Sequence, residues 1–85
     1  MIFYFSATGN SKYVSKSIAD TTNDKIIDII NIENYKFNLE DNESIGFVFP
    51  TYFWGVPPIM LDFIDKVEFS NYNNNYVYSI STYGY

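Results

Sequence analysis

The chain has 85 residues, room for one small domain, and its hydrophobic fraction of 47% predicts a packed core rather than a disordered polymer. Ten acidic residues against five basic ones give a net charge of −5, which disfavours binding to nucleic acid or anionic membranes and suits a basic protein partner. The sequence contains no Cys and no His, which excludes disulfides, thiolate chemistry and the usual zinc ligands, so any redox chemistry must come from a bound cofactor.

The first half of the chain alternates between strand-like and helix-like segments. Residues 2–5 are continuously apolar and predict a strand that is buried on both faces. Residues 11–20 carry apolar side chains one helical turn apart, which predicts a helix. Residues 25–30 are rich in Ile and predict a second strand, whereas residues 31–44 are polar and predict a loop or a short irregular helix.

The second half of the chain continues the alternation. Residues 45–49 predict a third strand, which we expect to end at Pro50 because proline cannot donate a ladder hydrogen bond. A loop over residues 51–56 follows. Two prolines can then open a helix whose apolar stripe consists of Met60, Phe63, Ile64 and Val67.

The last residues predict a turn and one more strand. Residues 70–75 are rich in Asn, and residues 76–81 return to β-branched and aromatic side chains before a final loop at 82–84. The connections between the predicted strands are too long for hairpins. The sequence therefore predicts one α/β domain over residues 1–85, with a parallel sheet covered by helices on both faces.

Small polar residues lie between the first predicted strand and the first predicted helix. Backbone N–H groups at such a helix start can converge on a phosphate, and the hydroxyl and amide side chains add neutral donors. The segment contains one Gly and no P-loop pattern, which makes NAD and ATP less suitable ligands. An alternative is that these residues only turn the chain and cap the helix. The candidate phosphate-binding residues are Ser6, Thr8, Gly9, Asn10 and Ser11.

Aromatic residues follow the third and fourth predicted strands. In a parallel sheet both segments lie at the carboxyl edge, beside the first loop, where flat aromatic faces can flank a planar ring. The alternative is that these aromatic residues only pack in a core or an interface and bind no ligand. The candidate ring-binding residues are Thr51, Tyr52, Phe53, Trp54, Gly55, Thr82, Tyr83 and Gly84.

With these three segments the sequence resembles the flavodoxin family. Residues 4–11 read Y-F-S-A-T-G-N-S, residues 50–57 read P-T-Y-F-W-G-V-P, and residues 82–84 read T-Y-G. The resemblance implies a five-stranded parallel sheet of order 2-1-3-4-5 that binds FMN and transfers one or two electrons. It also implies that the first segment binds the FMN phosphate and that the other two border the isoalloxazine ring.

The sequence departs from the family at its end. Flavodoxins continue through another helix, a fifth strand and a final helix, whereas this sequence ends at Tyr85. We therefore expect a partial flavodoxin-like domain that lacks the fifth strand and the last helices. The outer edge of its fourth strand would be open to self-association.

These features favour a cytoplasmic electron carrier that exchanges electrons with redox partner proteins. One alternative is a flavin-dependent reductase, although the sequence has no nicotinamide-binding motif. Another is a remnant or fragment that does not bind FMN alone. No residue is singled out as catalytic or as a metal ligand. The cytoplasmic location is expected because the apolar start has no basic leader and ends at Ser6.

Overall fold

The computed structural model describes residues 1–5, 10–51 and 57–83. These residues form six strands, two α-helices and one 3₁₀ turn. In chain order the elements are β1 (Ile2–Tyr4), α1 (Asn10–Thr22), β2 (Ile26–Asp28), the 3₁₀ turn (Ile29–Asn31), β3 (Lys36–Asn38), β4 (Ile45–Thr51), α2 (Pro58–Lys66), β5 (Glu68–Ser70) and β6 (Val77–Tyr83).

Four strands form the main sheet, in the order β2-β1-β4-β6, and every neighbouring pair is parallel. Their positions along the chain correspond to the four predicted strands in the order 2-1-3-4. The parallel α/β sheet predicted from the sequence is therefore confirmed. The two central strands have the most strongly buried side chains, as the apolar run at the start of the chain predicts.

The main sheet packs a different layer on each face. On one face α1 covers Ile2, Tyr4 and Val48, and the buried hydrophobic residue that it contributes there is Ala19. On the other face the core contains side chains from β1, β4 and α2, together with residues before β1 and β4. Its buried members are Met1, Phe3, Ile29, Leu39, Ile45, Phe47, Phe49, Met60 and Phe63. A helix thus packs on each face of the sheet.

A second, two-stranded sheet lies on the α2 side, where the sequence predicted only irregular structure. In this sheet β3 and β5 are parallel, with Phe37 opposite Phe69. Both rings pack against Phe3, at centroid distances of 4.9 Å and 5.8 Å. The prediction of a loop or short helix for residues 31–44 is wrong here, because Phe37 anchors a short strand over the core.

Two predicted strand boundaries are also wrong. The second strand ends at Asp28, because its carboxylate accepts a hydrogen bond from the Ile30 amide at 3.0 Å and starts the 3₁₀ turn. β4 continues through Pro50 to Thr51. The backbone groups of even-numbered β4 residues face β1; the Gly46 amide, for example, donates a hydrogen bond to the Met1 carbonyl. The backbone nitrogen of Pro50 therefore faces a point beyond the end of β1. No backbone N–H is needed there for pairing with β1, so proline is tolerated.

The predicted second helix is confirmed as α2, which begins at Pro58 after Pro57. Two members of the predicted apolar stripe, Met60 and Phe63, are buried, but Ile64 is 41% exposed and so lies outside that stripe. Neither helix in the described part of the chain is long and apolar enough to cross a membrane.

The N-terminal ammonium group is held at the amino edge of the main sheet. The Met1 nitrogen lies 3.2 Å from Asp24 Oδ1 and 3.3 Å from Glu43 Oε2, and it donates to the Ser44 carbonyl at 2.9 Å. Burial by itself raises the pKa of Asp24, but hydrogen bonds from Thr22 and from the ammonium group, together with its charge, lower the pKa overall. Asp24 is thus stabilised as a carboxylate.

Candidate functional site

Three neighbouring parallel strands end at the carboxyl edge of the main sheet. The register pairs Tyr4 with Val48 and Thr51 with Tyr83, and the Phe5 amide donates to the Val48 carbonyl at 3.0 Å. In the sequence, each segment predicted to bind a ligand lies at or after the end of one of these strands. The structure places the ends of the three strands at one edge, as expected for a parallel sheet.

The structure describes part of the predicted set of site residues. Ser11 and Thr82 have described side chains, while Asn10, Thr51 and Tyr83 are described by their positions in α1, β4 and β6. The predictions for the remaining residues lie outside the described part of the chain. These residues are Ser6, Thr8, Gly9, Tyr52, Phe53, Trp54, Gly55 and Gly84.

Thr82 lies on a strand, where the sequence predicted a loop. β6 continues to Tyr83, and Thr82 pairs with Pro50 of β4. The strand extends because β4 also runs beyond its predicted end and offers backbone partners up to Thr51. Thr82 is thereby fixed in the sheet, close to the carboxyl edge.

The first and third predicted segments meet through a hydrogen bond. Ser11 Oγ lies 3.0 Å from Thr82 Oγ1, and either hydroxyl can be the donor. Ser11 is only 1% exposed and sits in the first turn of α1. The contact joins the start of α1 to the end of β6, so two of the three predicted segments are brought together.

Small side chains on α1 allow this close approach of helix and sheet. Ser11, Ser15 and Ala19 follow one another at intervals of four residues, and all three are buried. The hydroxyl of Ser15 donates to the Ser11 carbonyl at 2.7 Å, which satisfies the hydroxyl within the helix. The sequence reasoning did not single out Ser15, although its spacing from Ser11 and Ala19 marks it as part of the same helix face.

The electrostatics of the α1 N-terminus suit an anion. The first turn of this helix carries no acidic residue, and its exposed Lys12 adds a positive charge. The helix macrodipole places a further partial positive charge at the same end. The hydroxyl groups and helix end can therefore favour a phosphate without any Arg residue.

A cavity of about 960 Å³ lies at the opposite, amino edge of the sheet. Acidic residues of its wall include Asp24, Glu40, Asp41 and Glu43, and Tyr76 also borders it. Negative charge at this edge disfavours a phosphate ligand. The carboxyl edge is thus the better candidate for an anionic cofactor.

Comparison with known proteins yields one match. Residues 1–83 match a family model described as Flavodoxin domain. No curated protein and no solved structure matches the chain. The matched range includes the first two predicted segments and the residues Thr82 and Tyr83 of the third.

Proposed function

Because the chain belongs to the flavodoxin family, we propose that it binds FMN and transfers electrons between partner proteins. The observation that supports this proposal most strongly is the hydrogen bond between Ser11 and Thr82. It links the segment proposed for the phosphate to the segment proposed for the ring. Ser11 and Thr82 both lie near the carboxyl edge of the sheet, where ligands of open α/β sheets bind.

The phosphate of FMN would bind at the start of α1. We assign it to Ser6, Thr8, Gly9, Asn10 and Ser11, which offer hydroxyl, amide and backbone N–H donors. Helix α1 fits this role because its first turn is free of acidic side chains. A dianionic phosphate would there gain from the helix dipole and from Lys12.

The isoalloxazine ring would lie between the second and third segments. Its proposed neighbours are Thr51, Tyr52, Phe53, Trp54 and Gly55 after β4, and Thr82, Tyr83 and Gly84 at the end of β6. Aromatic faces here would exclude water from the ring and orient it.

Bound FMN would supply the one- and two-electron chemistry, for which the chain itself has no Cys or His. The residues of the chain would hold the phosphate, flank the ring and leave one edge accessible to a partner. The net charge of −5 favours a partner with a basic docking surface. A carrier of this kind needs no substrate pocket of its own.

An FMN titration of the purified chain tests the proposal. We expect saturable quenching of flavin fluorescence, with a dissociation constant in the micromolar range or tighter. Ser11→Ala should weaken binding about tenfold, because one hydrogen bond to a charged group contributes roughly 1.5 kcal/mol or more. Ser17→Ala is the matched control, since Ser17 lies exposed on the same helix.

Two results would overturn the proposal. One is a folded 85-residue chain, with a cooperative unfolding transition, that shows no saturable FMN binding. The other is equal weakening by Ser11→Ala and Ser17→Ala, which would place the phosphate away from the start of α1. The first result would favour the alternative of a fragment that does not bind FMN alone.

A further inference from the structure

Thr82 belongs to the segment that the sequence assigns to the ring, yet the structure joins it to the phosphate segment. Its hydroxyl lies 3.0 Å from that of Ser11, and the pair is partly buried. The two groups share one hydrogen bond, in which either oxygen can be the donor. Because each hydroxyl has a single proton, the direction of this bond decides which of the two residues keeps a proton for a ligand.

The surroundings of Ser11 leave Thr82 in control of this direction. Ser15 Oγ donates to the Ser11 carbonyl at 2.7 Å, and Ser15 is completely buried. That bond uses the one proton of Ser15, so Ser15 cannot also donate to Ser11 Oγ. Thr82 is fixed by the sheet, where it pairs with Pro50. The Ser11 side chain is thus held between a buried turn of α1 and a fixed position on β6.

We propose that Thr82 is a positioning residue for the phosphate: its hydroxyl donates to Ser11 Oγ and directs the Ser11 proton towards an anion at the start of α1. The anion is the FMN phosphate of the proposed function, on which this role rests. A phosphate dianion only accepts hydrogen bonds, so Ser11 Oγ must be the donor to it. Ser11 has that proton to give only when Thr82 donates in the bond between them.

The electrostatics of the helix end favour the same direction. The first turn of α1 has no acidic side chain that would compete for the Ser11 proton. A hydrogen bond to an ionised acceptor is about twice as strong as one between neutral groups, so the proton gains more from a phosphate than from the Thr82 oxygen. A hydroxyl that accepts a hydrogen bond is also polarised into a stronger donor. Thr82 therefore both orients and strengthens the bond from Ser11 to the phosphate.

The opposite direction would give Thr82 the role that the sequence predicts. If Ser11 donated to Thr82, the Thr82 proton would remain for the flavin ring. The two roles differ in the ligand that they affect, because riboflavin has the ring but no phosphate. Loss of a ring contact weakens binding of FMN and riboflavin alike, whereas loss of a phosphate contact weakens binding of FMN alone.

Thr82→Val tests the assignment, because Val has nearly the shape of Thr without its hydroxyl. We expect it to weaken FMN binding about fivefold, as for the loss of one hydrogen bond, and to change riboflavin binding by less than about twofold. Thr82→Ser, which keeps a hydroxyl, should bind FMN within about twofold of the unaltered chain. Ser79→Ala is the matched control, since it removes an exposed hydroxyl from the same strand. Fluorescence titrations measure the affinities, and urea denaturation shows that each variant is folded.

A double variant shows whether Thr82 acts through Ser11. In a Ser11→Ala background, Thr82→Val should weaken FMN binding by less than about twofold further, because the hydroxyl that Thr82 positions is gone. This comparison uses FMN alone and so does not depend on measurable riboflavin binding. If Thr82→Val does not fold, Thr82→Ala serves in both comparisons.

Two results would overturn the role of Thr82 and leave the proposed function intact. One is equal weakening of FMN and riboflavin binding by Thr82→Val. The other is a further fivefold weakening of FMN binding in the Ser11→Ala background, which would show that Thr82 does not act through Ser11. A folded, unaltered chain that binds no FMN is a separate outcome, since it would overturn the proposed function together with the role of Thr82.

Discussion

The hydroxyl of Ser11 lies 3.0 Å from that of Thr82, although 71 residues separate the two along the chain. The contact exists because α1 packs on the sheet with its first turn near the carboxyl edge, and because β6 continues far enough to reach the same edge. It joins two of the three segments that the sequence marks as ligand-binding.

A double-mutant cycle should detect the coupling between Ser11 and Thr82. We expect Ser11→Ala and Thr82→Val, combined, to lower the free energy of unfolding by about 1 kcal/mol less than the sum of the single effects. The reason is that each single change removes the same hydrogen bond. Urea denaturation of the four proteins measures the coupling. A coupling near zero would mean that the two hydroxyls do not interact in solution.

Gly46→Ala should destabilise the pairing of β4 with β6. A Cβ atom at Gly46 would lie 2.5 Å from Tyr78 Cζ, so the tyrosine ring would have to leave its position over the strand. We expect a loss of about 1 kcal/mol in the free energy of unfolding, because the Cβ atom meets only the outer end of a half-exposed ring that can rotate away. The same substitution in a Tyr78→Ala background should cost much less. Equal costs in both backgrounds would show that the ring does not occupy this position.

Asp24→Asn should lower stability in a pH-dependent way. The Asp24 carboxylate contacts the Met1 ammonium group, and hydrogen bonds and the ammonium charge lower its pKa from the usual value of an aspartate. A lowered pKa in the folded state gives stability that is fully present above the unfolded-state pKa and is lost as pH falls through the folded-state value. We expect a loss of about 1 kcal/mol at pH 7 and a smaller loss at a pH low enough to protonate Asp24 in the folded state.

Urea denaturation at both pH values measures this dependence. Asp20→Asn is a suitable control, since Asp20 lies exposed on α1. The same loss for Asp24→Asn at pH 7 and at this low pH would contradict the assigned ion pair.

Phe69→Ala should reveal the contribution of the small second sheet. The Phe69 ring packs against Phe3, which is completely buried, and against Phe37 of the neighbouring strand. We expect a loss of about 2–4 kcal/mol in thermal or urea unfolding, somewhat less than for a fully buried ring because Phe69 is half-buried. Tyr72→Ala, at a position 51% exposed, should cost less than about 0.5 kcal/mol. If Phe69→Ala and Tyr72→Ala lowered the free energy of unfolding by similarly small amounts, β3 and β5 would not cover the core.

The sequence predicts the main sheet because its signals are local and strong. The apolar run of β1 and the helical spacing in α1 and α2 each identify an element, and the alternation of elements then favours parallel strands. The small sheet is harder to predict. β3 and β5 have three residues each, with a single Phe between polar residues, which is too short a pattern to predict a strand. They form strands because their rings pack against Phe3, a contact that the local sequence does not reveal.

The position of Thr82 is hard to predict for a similar reason. The sequence predicts a loop there because the apolar pattern ends before Thr82 and Gly84 follows it. Thr82 lies on β6 because β4 continues through Pro50 and provides a neighbouring strand. The sequence of β4 alone does not predict this continuation, since proline normally ends a strand. Whether Pro50 is tolerated depends on where β1 ends, which is a property of the assembled sheet.

The most direct test of the central claim compares FMN with riboflavin, which lacks the phosphate. If residues at the start of α1 bind phosphate, the unaltered chain should bind FMN at least about tenfold more tightly than riboflavin, a difference of about 1.4 kcal/mol or more. Parallel fluorescence titrations measure the two affinities. Tighter binding of FMN by that factor is the result that we predict. Equal affinities, or no binding of either flavin by the folded chain, would contradict a phosphate site at this edge of the sheet.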